Sequence, residues 1–185
     1  GHSAVSSNFA SGVYLNDQST SWTQTGVFND TAPTSSVFTV GTFHSSNGTG
    51  DGMVAYCFAE KKGFSKFGTY TGNASTNGPY IYCGFKPAWV VVKTVNNQAG
   101  HWRLADNKRT PFNTTQNLLF PSNNGVENTT PTGNGNDFEF YSNGFKITTD
   151  NVYANGNGNS LIFMAFAAEP LVANLTPNGI PATAR

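Results

Sequence analysis

Charge is scarce in this chain. Ten basic and ten acidic residues stand among 185, or 11%, against roughly 25% in an ordinary soluble domain. The formal net charge is zero, which removes any electrostatic basis for binding nucleic acid or an anionic membrane surface. Long apolar runs are missing too. None approaches the ~18 residues that a membrane-spanning helix needs, so no membrane insertion is expected. The opening GHSAVSSNFASG has neither a basic start nor an apolar segment and does not read as a secretory signal. Helical patterning is nearly absent, because Gly, Pro or Asn interrupts every candidate stretch of apolar residues at three-then-four spacing.

Cysteine is reduced to Cys57 and Cys83, both inside strand-like apolar patterns. Neither has a second Cys or a His two to four residues away, so metal-ligand spacing is not present. Two buried reduced thiols are the expectation, with a single disulfide as the alternative. The histidines, His2, His44 and His101, are scattered and form no Ser-His-Asp or Cys-His pattern. No cofactor is expected.

What the chain does hold is aromatic bulk. Fifteen Phe and seven Tyr bring aromatics to 14%, ample for a core at this length. The polar remainder is Asn, Thr, Ser and Gly, which favour turns over helix interiors. Strand patterns recur at VFTVGTF (37–43), GMVAYCFAE (52–60), FSKFGTYT (64–71), PYIYCGF (79–85), AWVVVKTV (88–95), HWRLA (101–105), DFEFYSNGFKITT (137–149) and SLIFMAFAAE (160–169). Short aromatic and β-branched strands between Asn/Gly clusters predict an all-β, antiparallel β-sandwich of jelly-roll or concanavalin-like type. Asn143-Gly144, between Phe138/Phe140 and Phe145/Ile147, predicts a type I′ hairpin turn.

The line GMVAYCFAE returns as SLIFMAFAAE, with Phe58 and Phe166 at equivalent places 108 residues apart. Each follows an alternating strand with a central Phe (Phe38, Phe145) and a polar Asn/Gly loop. The spacing suits one sandwich-sized unit. It predicts an N-terminal extension (1–22), the end of a first β repeat (23–62), a nearly complete second repeat (63–170) and a tail (171–185). The apolar run at 160–169 reads as a central strand buried on both faces, with a buried helix as the competing reading. Residues 106–136 form a long Asn-rich excursion with a short strand at NLLF (117–120), the kind of surface loop that carries recognition.

Catalytic chemistry is weakly signalled. Asp137 and Glu139 fall at i and i+2 of a strand and could line a groove as a glycan-cleaving pair. The plainer expectation is a solvated outer face, with Phe138 and Phe140 turned to the core. Glu60 and Glu169 hold equivalent repeat positions, which favours structural pairing with a basic residue. NGTGDG (47–52) and NGNDF (134–138) have the oxygens of a calcium loop without its acidic spacing and read as turns. Lys61, Lys62 and Lys66 make one basic cluster and Lys108 with Arg109 another. Each is a surface ion-pairing group or a contact for an anionic polysaccharide. Trp22, Tyr80, Trp102 and Tyr153 are possible sugar platforms, although strand aromatics are more often core.

GFSKFGTYTGNASTNGPYIYCGFKPAWVVVK (63–93), then HWRLADNKR (101–109), SNGFKITT and NGNGNSLIFMAFAAEP, ending in NGIPATAR (178–185), resembles a repeat family in virion structural proteins of marine tailed bacteriophages. The resemblance spans residues 23–185. It implies a non-enzymatic module at the end of a tail fibre, tail tip or capsid appendage, carried on the virion. It also implies contacts with other virion proteins and a host-surface polysaccharide, or the capping of an assembly. By analogy with phage fibres it implies a homo-oligomer, a trimer. The candidate ligand-binding residues are Trp102, Arg103, Asp106, Lys108, Arg109 and Tyr153. A tailspike-type glycan-degrading domain and a pure spacer or decoration module are the alternatives.

Overall fold

From residue 64 onward every expected strand forms except the short one at NLLF, and neither of the two expected between residues 37 and 60 does. The computed structural model describes residues 5, 9–113, 117–127 and 137–169, with the backbone of a further strand pair at 172–173 and 180–181. In chain order the elements are β1 (Ser11–Gly12), β2 (Trp22–Thr23), the single turn α1 (His44–Asn47), β3 (Ser65–Thr71), β4 (Tyr80–Tyr82) and β5 (Pro87–Thr94). They continue with β6 (Arg103–Asp106), β7 (Phe138–Tyr141), β8 (Gly144–Ile147), the single turn α2 (Val152–Asn155), β9 (Ser160–Ala167), β10 (Val172–Ala173) and β11 (Ile180–Pro181).

Two antiparallel sheets carry the fold, one ordered β3-β9-β5-β6 and one ordered β4-β8-β7. Alternation explains how they pack. Tyr70, Val90, Val92, Leu161, Phe163 and Ala165 of the first sheet meet Ile81, Phe138, Phe140, Phe145 and Ile147 of the second in one core. Phe145 and Phe163 cross it edge to face at 5.4 Å between centroids. This is an all-β sandwich.

β9 is the central strand that its sequence predicts. It is hydrogen-bonded on both sides, to β3 from Ser65↔Phe166 to Thr71↔Ser160 and to β5 from Pro87↔Ala167 to Thr94↔Leu161. Its outward residues Ile162 and Met164 join Val91, Trp102, Leu104 and Val13 in a second cluster on the sheet's outer face. Further along that face, Phe166 gathers the rings of Phe58, Phe64, Phe67 and Trp89.

The hairpin at 138–147 forms, but its turn lies one residue earlier than expected. Tyr141 pairs with Gly144, so Ser142 and Asn143 are the central residues, and neither has the positive φ of a type I′ turn. Gly144 serves close approach instead. Its backbone lies so near the Ile81 carbonyl that a β-carbon there would overlap it.

The partial first repeat is a likeness of sequence and not of fold. VFTVGTF leads into α1, and residues 51–60 form no strand and are exposed throughout. A β-rich sequence becomes a strand only where an edge receives it, and the strands that flank β9 have no counterpart beside this segment. Cys57 is therefore exposed, against the expectation of two buried thiols, while Cys83 is buried, and both are free. NLLF contributes a single bridge, Leu104↔Leu119, that extends the β6 edge. Residues 128–136, and with them most of NGNDF, lie outside the described residues, as does most of the 171–185 tail.

Candidate functional site

The six residues singled out by sequence divide among three places. Trp102 is buried on the outer face of the sheet, where its Nε1–H donates to the Tyr14 carbonyl at 2.7 Å. It pins the N-terminal segment and offers no sugar platform. Arg103 points the opposite way. It is buried, pairs through Nη1 with the Asp137 carboxylate, and donates from Nη2 to Asn151 Oδ1 at 3.1 Å. Tyr153 packs on this guanidinium at 5.8 Å, and Phe120 does so at 5.5 Å. Burial lifts the Asp137 carboxyl, and the charge and hydrogen bond of Arg103 draw it back.

That placement corrects the expectation of a solvated Asp137. The residue precedes β7, so strand alternation does not govern its direction, whereas Glu139 lies within β7, half-buried opposite Lys146. The two carboxylates do not converge.

Asp106, Lys108 and Arg109 form a surface turn. Asp106 Oδ1 accepts from the Lys108 and Arg109 main-chain N–H groups, both at 2.9 Å. Arg109 bonds Asp106 Oδ2 at 2.8 Å and reaches Glu127 at 3.3 Å. These bonds hold the Asp106 carboxyl below its ordinary range against the effect of partial burial. The cation is thus matched by two acids, which lowers its value for an anionic ligand. In the other basic cluster Lys66 pairs with Glu60 at 2.6 Å, as the equivalence of Glu60 with Glu169 suggested for Glu60. The remaining aromatic candidates are also engaged: Trp22 stacks on Tyr14 at 5.1 Å, and Tyr80 bonds Asn143 through its hydroxyl.

An open groove of about 520 Å³ lies beside Trp102, lined by Asn16, Gln18, His101, Pro121, Ser122, Asn123 and Asn124. Its two walls come from distant parts of the chain. One is the N-terminal segment, fixed by Lys93 on β5. The Lys93 amine is wholly buried and donates to the Gln18 carbonyl at 2.7 Å and to the Gly100 carbonyl at 2.5 Å. Gly100 N–H returns a bond to Gln18, and Ser21 bonds Val95. Burial pulls the Lys93 amine down to about 8, with Asp17 opposing.

The other wall is the turn after Phe120, closed by Asn123 N–H to the Phe120 carbonyl at 2.9 Å. Ser122 Oγ fixes this turn to the start of β6, since it accepts from Trp102 N–H at 3.2 Å and lies 3.0 Å from His101 Nδ1. Partial burial, then the charges of Arg103 and Lys93, depress the His101 imidazole below its ordinary range, which disfavours its charged form. The lining is one of amides, a hydroxyl, an imidazole and the Pro121 ring. It suits hydrogen bonding to an uncharged polyol.

A family model described as "Domain of unknown function (DUF7483)" matches residues 1–170. The chain belongs to that family. The match takes in the first twenty residues, which include one wall of the groove. No curated protein and no solved structure matches the chain. No helix among the described residues is long and apolar enough to cross a membrane, and no group of three His, Cys, Asp or Glu side chains among them could hold a metal ion.

In the sequence His101 is one of three scattered histidines, and Asn16, Gln18 and Ser122–Asn124 fall in no motif. Polar residues in turns look alike wherever they lie. The groove exists because residues 14–21 dock on the β5–β6 connection, and the one signal of that docking was a lysine inside the apolar run AWVVVKTV.

Proposed function

We propose that this DUF7483 chain is a non-enzymatic structural module on the outside of a virion, at the end of a fibre or appendage, and that it binds a host-surface glycan in the groove between residues 16–18 and 121–124. The observation that carries the glycan reading is the lining itself: Asn16, Gln18, His101, Ser122, Asn123 and Asn124 offer donors and acceptors without a formal charge. Sugars are held by such arrays of directional hydrogen bonds. The virion placement rests on the resemblance of residues 23–185 to phage structural repeats. Binding is favoured over hydrolysis because Asp137, the acid that the sequence offers for cleavage, is committed to Arg103 in the interior.

The test is binding to a panel of neutral and anionic bacterial surface polysaccharides, with the released reducing ends assayed in parallel. Neutral glycans are expected to bind, with no release. Gln18→Ala and Asn124→Ala each lower affinity roughly tenfold, the scale of one or two lost hydrogen bonds. Binding untouched by both substitutions, or reducing ends released by the wild type, overturns the proposal.

A further inference from the structure

The run Gly52–Phe58 is at odds with its surroundings. Val54, Tyr56 and Phe58 expose 79%, 84% and 61% of their surface. From Gly52 to Phe58 no main-chain group finds a hydrogen-bond partner among the described residues. The Phe58 ring alone is engaged, against Phe67 and Phe166. An uncharged, proline-free apolar stretch of this length with a free backbone is what a sheet edge captures.

The molecule also presents such an edge. β3 borders its sheet and has β9 as its one strand neighbour among the described residues. Ala167 N–H donates to the Phe64 carbonyl and Gly72 N–H to the Asn159 carbonyl. By antiparallel alternation the even-numbered residues of β3 therefore bond β9, and the odd-numbered ones aim their N–H and C=O groups outward. Ser65, the first of the odd series, is closed by a reciprocal pair of bonds with Lys61. Phe67, Thr69 and Thr71 have no main-chain partner on that side among the described residues.

Sequence matches the two surfaces. Gly52–Ala59 aligns without gaps on Ser160–Ala167, and β9 is the strand that already pairs with β3 along its whole length. Within one copy the run is steered away from its own edge. After the Lys61–Ser65 turn, with Ser65 Oγ bonded to the Ala59 carbonyl at 3.0 Å, the chain crosses to the outer face of the sheet, where Phe58 lands on Phe67 and Phe166. One chain thus holds both a donor strand and an acceptor edge, directed apart.

We infer that Gly52–Phe58 of one copy adds as a strand to the β3 edge of a second copy. Donor and acceptor are different surfaces, so the contact is head-to-tail, and a trimeric ring is one closed solution. The pairing gives Phe67, Thr69 and Thr71 their missing partners and removes Val54 and Tyr56 from water. It gives a structural basis to the homo-oligomer that the resemblance to phage structural repeats implies, and makes no use of the glycan groove.

Complementation tests it. Tyr56→Lys spoils the donor and leaves the edge intact. Thr69→Pro removes an outward N–H and leaves the donor intact. By light scattering and sedimentation at 1–50 μM (order-of-magnitude working concentrations,), the wild type is expected to be assembled and each variant monomeric, with unchanged circular dichroism. An equimolar mixture of the two variants is expected to form a heterodimer, in which Cys57 of the donor copy reacts more slowly with thiol reagents.

Should Thr69→Pro not fold, a labelled peptide of residues 51–60 added to Tyr56→Lys takes its place, and saturable binding is expected. A monomeric wild type overturns the inference, including one whose Cys57 is protected because the run has closed on its own edge. An assembly that persists in Tyr56→Lys overturns it, as does a mixture or peptide that shows no association. Glycan binding retained by monomeric Tyr56→Lys separates this result from the fate of the groove.

Discussion

Arg103, at the start of β6, and Asp137, just before β7, meet as a buried ion pair at one end of the sandwich. The pair joins the two sheets. Asn151 and the rings of Phe120 and Tyr153 close over the guanidinium, while Arg103 Nε has no partner among the described residues. Its two members cannot be exchanged one at a time without cost.

Asp137→Asn leaves the Arg103 charge buried without its counter-ion. A loss of about 3–5 kcal/mol in unfolding free energy is expected from urea titration. The double variant Arg103→Met/Asp137→Leu should recover much of that loss, because an apolar pair carries no desolvation penalty. A neutral Asp137→Asn would show that the pair is not closed to water.

Phe166→Ala empties the middle of the aromatic cluster on the outer face, where four rings meet the Phe166 ring at 5.5–6.0 Å. The ring is half-buried, so a cost of about 3 kcal/mol is expected, at the low end for a core Phe. Thermal and urea unfolding measure it. A change below about 0.5 kcal/mol, typical of surface substitutions, would mean that the cluster contributes nothing to the fold.

Lys93 should give stability an uncommon pH dependence. Its amine has a folded value of about 8 against 10.5 ordinarily. Between these values the unfolded chain holds the proton and the folded chain has lost it, so stability rises with pH across that window. The neutral amine still has two N–H groups for the Gln18 and Gly100 carbonyls. The stability difference between wild type and Lys93→Met is therefore expected to move in favour of the wild type from pH 7.5 to 10 (a window set by the two values,). A constant difference would place the amine in water.

The thiols should separate cleanly. Burial pushes the Cys83 thiol up to about 12, whereas Cys57 is exposed. In the monomeric Tyr56→Lys background a disulfide reagent is expected to titrate one thiol in the native state and the second after unfolding. Two fast thiols would mean that the core around Cys83 opens, and none would mean a disulfide.

Much of the sandwich was legible because alternation is local. Phe138, Phe140, Phe145 and Ile147 announce a buried face within ten residues of sequence, and SLIFMAFA announces a strand covered on both sides. The same signal misled at GMVAYCFAE, where composition specifies a strand and nothing specifies its neighbour. Asp137 was misread because the alternation of β7 was carried one residue past its end. Of the groove, only the lysine inside AWVVVKTV gave any sign in the sequence. His101 becomes distinctive only when Gln18 is drawn in by Lys93 and Ser122 by the turn after Phe120, and these contacts span tens of residues.

The most direct measurement is a ¹H–¹⁵N spectrum of the labelled protein titrated with a neutral host-surface oligosaccharide. Shifts concentrated at the side-chain amides of Gln18, Asn123 and Asn124 and at the His101 ring are predicted. Shifts confined to the Lys108–Arg109 turn, or none at saturating oligosaccharide, would contradict a glycan site in this groove.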